Sequence, residues 1–176
     1  MIKVMIVGQK WLAEQLLNLC DDMSGIEVVL LSVPCVDDRA ARLAEQLAIS
    51  VVIHGKTLFA KDVPNSVDVI LMAHAHCFVR TDARAKARYG AIGYHPSLLP
   101  AYKGKTAITD AFVAGEAITG GSLYHLDDGW DTGLVIDQAS VMISSDDTIK
   151  SLWRDKLAPL GLELFGGYLK EMILSY

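Results

Sequence analysis

The chain has 176 residues, 52% of them hydrophobic and 21% charged, and its 16 Lys and Arg against 21 Asp and Glu give a formal net charge of −5. This length suits a single domain, residues 1–176, and the acidic balance disfavours a nucleic-acid-binding module. No apolar run reaches the roughly 18–20 residues of a membrane-spanning helix, and the 3 cysteines are too scattered for a disulfide framework or a zinc finger, so we expect a cytoplasmic protein with no membrane partner.

The first half of the sequence alternates apolar runs with stretches of helical spacing. Continuous apolar runs are typical of strands that are covered on both faces, as in a parallel sheet. The predicted strands are 2–7, 27–33, 51–54, 67–73 and 91–94, and the predicted helices are 11–19, 40–47 and 81–89. This order predicts an α/β fold with a Rossmann-like, doubly wound, mostly parallel sheet.

The pattern changes after residue 95. Residues 96–104 contain two prolines and a glycine, which predicts a largely irregular loop. A helix over 106–114, strands over 120–126 and 134–143, and a closing helical region over 148–174 are then predicted, with an interruption near Pro159. No repeat or linker divides the chain, so one domain is the economical interpretation.

Two motifs that would indicate a nucleotide or a metal are incomplete. The turn after the first strand, Gly8-Gln9-Lys10-Trp11-Leu12-Ala13, has one glycine where a dinucleotide fingerprint needs three, so NAD binding is not expected. His74 and His76 end a predicted strand and share one face, but no third ligand follows at a metal-site spacing. We therefore predict no metal and expect these two imidazoles to line a polar pocket.

His95 closes a predicted strand, at the sheet edge where open α/β folds bind ligands. A histidine there can give or take a proton near neutral pH. Asp131 ends an acidic segment, 127–131, that by composition alone is typical of a solvated β-turn. Its carboxylate is also able to orient an imidazole or to favour the charged form of the ring, although spacing alone does not show that the two side chains meet.

Two long motifs at a fixed separation are the most specific feature of the sequence. The first is Tyr94-His95-Pro96-Ser97-Leu98-Leu99-Pro100, and the second is Asp127-Asp128-Gly129-Trp130-Asp131-Thr132-Gly133. Together they resemble the 10-formyltetrahydrofolate-dependent formyltransferase family, in register over about 67–152. In motif detail the sequence is most similar to the N-terminal hydrolase domain of 10-formyltetrahydrofolate dehydrogenase. The resemblance implies the catalytic-core fold of the family and 10-formyltetrahydrofolate as the formyl donor in one-carbon metabolism.

The resemblance also assigns roles to five residues by position. It implies that His95 is the catalytic histidine and that Asp131 is the essential aspartate, which also belongs to the folate site. It implies that the stretch Cys77, Phe78 and Val79 holds the pterin part of the folate through its backbone groups.

Gly93 departs from the family pattern. Many members carry Asn two residues before the histidine, where its side chain donates to the formyl oxygen as that oxygen becomes an oxyanion. Removing such a donor typically costs ~10²–10³ in rate. The hydrolase domain also lacks this Asn. We expect Gly93 to leave room for water or for another donor, with His74, His76 or Tyr94 as candidates.

The expected function is transfer of the formyl group from 10-formyltetrahydrofolate to a small amine-type acceptor, through a tetrahedral intermediate. Three alternatives stay open: hydrolysis of 10-formyltetrahydrofolate to formate and tetrahydrofolate, a folate-binding module with catalysis weakened at Gly93, and one domain of a longer enzyme. Lys103 and Lys105 lie in the loop expected to border the acceptor, where they attract an anionic acceptor or the folate's glutamate tail. The acidic charge disfavours a tRNA acceptor, and the absence of a phosphate loop disfavours a ribonucleotide.

Overall fold

The computed structural model describes residues 1–175. The strands are β1 (Ile2–Gly8), β2 (Ile26–Val33), β3 (Val51–Ile53), β4 (Thr57–Leu58), β5 (Val69–Ala73), β6 (Phe78–Val79), β7 (Ala91–His95), β8 (Ile118–His125) and β9 (Val135–Met142). The helices are α1 (Lys10–Asp22), α2 (Arg39–Gln46), α3 (Thr81–Arg84), α4 (Ala107–Val113), α5 (Ile149–Ser151) and α6 (Ala158–Ser175). A 3₁₀ turn spans Ala60–Asp62, and a π-helical segment spans Leu152–Leu157.

Seven of the strands form one sheet in the order β3-β2-β1-β5-β7-β8-β9. Strands β1, β2, β3, β5 and β7 pair in parallel, whereas β7–β8 and β8–β9 are antiparallel. The chain builds outward from β1 to β3 and then crosses back to place β5 on the other side of β1. Such a reversal opens a crevice at the carboxyl ends of the strands. The predicted Rossmann-like, mostly parallel α/β fold is confirmed.

Strand β1 shows why the apolar runs predicted this architecture. Val4 and Ile6 pack on one face of the sheet, in the cluster that includes α1 and α6, while Met5 and Val7 pack in a second cluster on the other face. All five residues of β5 are buried as well. A strand covered on both faces needs apolar side chains at every position, which produces a continuous run instead of an alternating one.

One predicted helix differs from the structure, and one pair of short strands was not predicted. The helix expected over 81–89 is a single turn, α3, and the residues after it form turns. The pairing of β4 with β6 in a separate two-stranded parallel sheet was not predicted. Strands of two residues are too short to show a periodic pattern, so only the tertiary packing defines them.

The interruption expected near Pro159 lies one turn earlier. The π-helical segment Leu152–Leu157 precedes the proline, and α6 continues without a break through Pro159 and Gly161. Pro159 is the second residue of α6, where the widened turn has already changed the regular hydrogen-bond pattern and the missing N–H matters less. Neither α6 nor any other helix within residues 1–175 combines the length and apolarity that crossing a bilayer requires.

Candidate active site

A cavity of about 620 Å³ lies where β1, β5 and β7 end. Its volume is in the range of sites that enclose small organic ligands, roughly 300–1,000 Å³. The wall brings together all five residues that the family resemblance assigned to the site: His95, Asp131, Cys77, Phe78 and Val79. His95 ends β7 and the stretch 77–79 follows β5, so these residues lie at the carboxyl edge of the parallel strands, whereas the loop after the antiparallel β8 brings Asp131 back to the same crevice.

His95 is the last residue of β7 and is buried, with 6% of its surface exposed. Its Nε2 lies 2.7 Å from the carbonyl oxygen of Tyr102, and its Nδ1 lies 3.5 Å from Oδ2 of Asp131. Because a carbonyl oxygen only accepts, Nε2 carries the proton in the neutral ring. Nδ1 is therefore the nitrogen that faces the carboxylate and the cavity, and the ring is fixed in one tautomer and orientation.

Asp131 is held in place by donors from two sides. Its Oδ1 accepts a hydrogen bond from the Tyr124 hydroxyl at 2.7 Å, and its Oδ2 accepts one from the backbone N–H of Gly104 at 2.8 Å. The backbone has a φ of +54°, a region that Asp tolerates better than most residues. The side chain is only 12% exposed, so this carboxylate is not part of a solvated turn.

The other two acids of the segment 127–131 have structural roles. Oδ1 of Asp127 accepts from the Gly129 N–H at 2.9 Å and from the Thr132 hydroxyl at 2.7 Å, which closes the turn. The bond from Thr132 lowers the pKa of Asp127 below its ordinary value. Asp128 pairs with Arg84 at 2.6 Å and ties the turn to α3. The prediction of a solvated turn is therefore correct for Asp127 and Asp128. The path of the turn places Asp131 in the cavity wall.

Gly93 lines the cavity, and neighbouring side chains occupy the space beside its Cα where a side chain would begin. A Cβ at this position would lie 2.7 Å from Cδ1 of Leu126 and 3.1 Å from Cε1 of Tyr124, so these side chains fill the space. Tyr94 is not a replacement donor, because its hydroxyl donates to the carbonyl oxygen of Leu157 at 2.6 Å on the opposite face of the sheet.

The stretch from Cys77 to Val79 reaches the cavity through the small β4–β6 sheet. The N–H of Phe78 donates to the Lys56 carbonyl at 2.9 Å, and the Val79 carbonyl accepts from Arg84 at 2.5 Å. These two backbone groups are thus paired within the protein, and a ligand would use others of the stretch. Burial raises the pKa of the Cys77 thiol to about 11, so it stays protonated and unreactive.

His74 and His76 line the cavity, as expected of pocket residues. Their ring centroids are 5.3 Å apart, and the ring of Trp153 lies 4.9 Å from that of His74. Burial, reinforced by the charges of His76 and Lys10, lowers the pKa of His74 to about 4, so this imidazole is neutral at pH 7. Within residues 1–175, no group of three or more His, Cys, Asp and Glu side chains is arranged to hold a metal ion.

Several residues of the wall were not predicted from the sequence. They are Lys10, Tyr124, Trp130, Lys150 and Trp153. Lys10 stands two residues after the end of β1, so the strand-end argument that identified His95 extends to it. Trp130 stands beside Asp131 in the second motif, and its ring lies 5.6 Å from that of Phe78. Lys105 also lines the cavity, whereas Lys103 is not part of the wall.

A family model described as formyl transferase matches residues 2–159. Among curated proteins, the methionyl-tRNA formyltransferase of Halothermothrix orenii is 43% identical over 76 residues, which is 43% of this chain and 24% of that protein. The methionyl-tRNA formyltransferase of Burkholderia thailandensis is 39% identical over 105 residues, 60% of this chain and 32% of that protein. The matched region thus spans 24% and 32% of the length of these two relatives.

Solved structures with the same fold cover nearly the whole chain. Phosphoribosylglycinamide formyltransferase from Bacillus halodurans superposes with a TM-score of 0.82 at 24% identity, over 97% of this chain and 95% of that one. Glycinamide ribonucleotide transformylase 1 from Symbiobacterium toebii gives 0.84 at 19% identity, over 99% and 89%. At these identities the likeness establishes a shared architecture.

Proposed function

The chain belongs to the formyl transferase family, and on that premise we propose that residues 1–176 form a catalytic domain that transfers a formyl group to a small amine-type acceptor. Formyltransferases of this family take the formyl group from 10-formyltetrahydrofolate. We treat that compound as the donor substrate. The cytoplasmic location expected from the sequence stays a prediction.

The observation that carries the proposal is the pairing of His95 with Asp131 inside the cavity. The buried His95 and the largely buried Asp131 face each other, with Nδ1 and Oδ2 3.5 Å apart. This distance exceeds an ordinary hydrogen bond. Nδ1 is therefore available to a reacting group, while the nearby carboxylate stabilises the charge that the ring acquires when it takes up a proton.

The reaction needs an oxyanion stabiliser and a path for one proton. The acceptor nitrogen attacks the formyl carbon, a new C–N bond forms, and the carbonyl oxygen becomes an oxyanion. A protonated Nδ1 of His95 donates to that oxygen. The carboxylate of Asp131 takes part in moving the proton lost by the acceptor to the departing folate nitrogen, whose bond to the formyl carbon breaks.

The shape and charge of the cavity support a folate donor. Phe78 and Trp130 form an apolar pair in its wall, which suits an aromatic ring system. Lys105 and Lys150 add positive charge to the wall of a protein whose net charge is −5, which suits the glutamate tail of a folate or an anionic acceptor. The same net charge disfavours a polyanionic acceptor such as tRNA.

Two single variants test the proposed catalytic pair. In His95→Ala and Asp131→Asn, release of tetrahydrofolate from 10-formyltetrahydrofolate in the presence of an amine should fall at least ~10²-fold, because each removes a group that moves protons or stabilises charge. His125→Ala and Asp137→Asn are matched controls, since both residues are exposed and lie outside the cavity wall. Full activity in either test variant would remove that residue from the mechanism.

The same assay separates the acceptor classes. Release of tetrahydrofolate only when amino sugars, amino acids or hydroxylated ornithine are added supports transfer to an amine. Brisk release without any amine supports hydrolysis to formate, and folate binding without turnover supports a binding module. The absence of detectable folate binding would contradict the donor assignment itself.

A further inference from the structure

We infer that Tyr124 is the positioning residue of the site: its hydroxyl holds the carboxylate of Asp131 in the orientation that faces His95. This inference rests on the proposed function, because it concerns the same pair. It adds a residue that neither of the two sequence motifs contains.

Tyr124 approaches Asp131 from β8, where it is the cross-strand partner of Gly93. It is buried, with 9% of its surface exposed, and its hydroxyl lies 2.7 Å from Oδ1 of Asp131. A buried hydroxyl that donates to a carboxylate forms a charge-assisted hydrogen bond, which is shorter and stronger than a bond between two neutral groups. The bond therefore connects β8 directly to the acid of the proposed pair.

The two oxygens of the Asp131 carboxylate are held differently. Oδ2 accepts from the Gly104 N–H and faces the His95 ring, whereas the Tyr124 hydroxyl is the partner of Oδ1. With both oxygens bonded, rotation of the carboxylate about its Cβ–Cγ bond is blocked. Without the Tyr124 hydroxyl, one oxygen loses its donor and the plane of the carboxylate is free to turn away from Nδ1.

Gly93 is what admits the Tyr124 ring to this position. Two ring atoms of Tyr124, Cε1 and Cζ, would lie 3.1 and 3.3 Å from a Cβ at residue 93, and Cδ1 of Leu126 would lie at 2.7 Å. Any side chain at residue 93 would therefore press on the ring that carries the hydroxyl. The position of the Tyr124 ring on β8 therefore depends on the glycine opposite it on β7.

The hydroxyl keeps its proton over the whole working range of pH. Burial, the hydrogen bond to Asp131 and the charge of Asp127 all raise the pKa of Tyr124 above its ordinary value. The group is thus a permanent donor to the carboxylate. The titratable groups around Asp131 are then His95 from β7, Tyr124 from β8 and Asp127 from the same turn.

The test is Tyr124→Phe, which keeps the ring and removes the hydroxyl. We expect kcat for formyl transfer to fall ~10- to 100-fold, as for loss of a hydrogen bond to a charged group, with the KM for 10-formyltetrahydrofolate within about twofold. The acid limb of the pH–kcat profile should move to higher pH, because the carboxylate loses a donor that stabilises its charged form.

Tyr94→Phe is the matched control. It removes the other buried tyrosine hydroxyl of β7 and β8, whose bond to Leu157 lies on the opposite face of the sheet, so it should lower stability and leave kcat and the pH profile unchanged. A Tyr124→Phe variant with the kcat and the pH profile of the parent would overturn the inference, while inactive His95→Ala and Asp131→Asn variants would leave the proposed function standing.

A second substitution keeps the test decisive if Tyr124→Phe does not fold. Incorporation of 3-fluorotyrosine at position 124 preserves the shape of the ring and makes the phenol a stronger donor. The acid limb of the pH–kcat profile should then move to lower pH. An unchanged profile would show that the hydroxyl does not act on the carboxylate and would overturn the inference.

Discussion

His74 and Asp131 both line the cavity, and the backbone of each adopts the left-handed conformation, with φ of +58° and +54°. Residues other than Gly, Asn and Asp rarely adopt this conformation, because it costs conformational free energy. It persists only where the surrounding structure holds the backbone in place. For Asp131 the conformation accompanies the contact with His95. For His74 it accompanies burial against Trp153, which leaves an imidazole that resists protonation.

The burial of His74 predicts a loss of stability in mild acid. Its pKa in the folded protein is about 4 against 6.5 for an unperturbed histidine, so between these values the unfolded chain binds more protons and the free energy of unfolding falls as the pH falls. Asn tolerates the positive φ and does not titrate. Between pH 7 and pH 4.5, the His74→Asn variant should therefore lose about 1–2 kcal/mol less of its free energy of unfolding than the parent does, a value that allows for the partial exposure of the His74 ring. Urea unfolding at both pH values measures this, and equal pH dependence in the two proteins would contradict it.

Among the elements, α6 carries three glycines, and two of them have opposite surroundings. A Cβ at Gly161 would lie 2.8 Å from two ring atoms of Tyr94 on β7, whereas a Cβ at Gly167 would meet nothing within 4 Å. The first glycine therefore sets the distance between α6 and the central sheet. The second only lowers the helix propensity of its segment.

This contrast predicts opposite effects of the same substitution. Gly161→Ala should destabilise the protein by about 1–3 kcal/mol, because the new methyl group overpacks the Tyr94 contact. Gly167→Ala should stabilise it by about 0.5–1 kcal/mol, through the reduced backbone entropy of the unfolded chain. Chemical denaturation of the two variants beside the parent measures both values, and similar effects at the two sites would contradict the packing explanation.

At the scale of the whole molecule, the reversal of strand order beside β1 creates the cavity, and binding there should stabilise the entire fold. We expect tetrahydrofolate at a hundred times its Kd to add about 2.7 kcal/mol to the free energy of unfolding and to raise Tm by several degrees. Trp130→Ala should reduce the shift, because the ring pairs with Phe78 in the cavity wall. Thermal unfolding with and without the ligand measures it, and a Tm that does not move would contradict folate binding.

Much of the site was predictable because the residues that carry it stand in contiguous motifs or directly after strands. His95 ends a buried strand and was a candidate from that position alone, and the resemblance added its catalytic role, Asp131 and the stretch from Cys77 to Val79. Tyr124 was not predicted. Its role depends on which residue of β8 lies opposite Gly93, and that register follows from packing between strands that are far apart in the sequence.

Residue patterns along the chain were enough to identify the class of fold and the family. Apolar runs and helical spacing arise from contacts between near neighbours along the chain, and long motifs are read in register without any coordinates. The three-dimensional packing alone shows that Asp131 turns toward His95, that Tyr124 donates to its carboxylate, and that side chains occupy the space beside the Cα of Gly93. Each of these depends on angstrom-scale distances between side chains brought together by strand register and loop geometry, and no local pattern of residues encodes such distances.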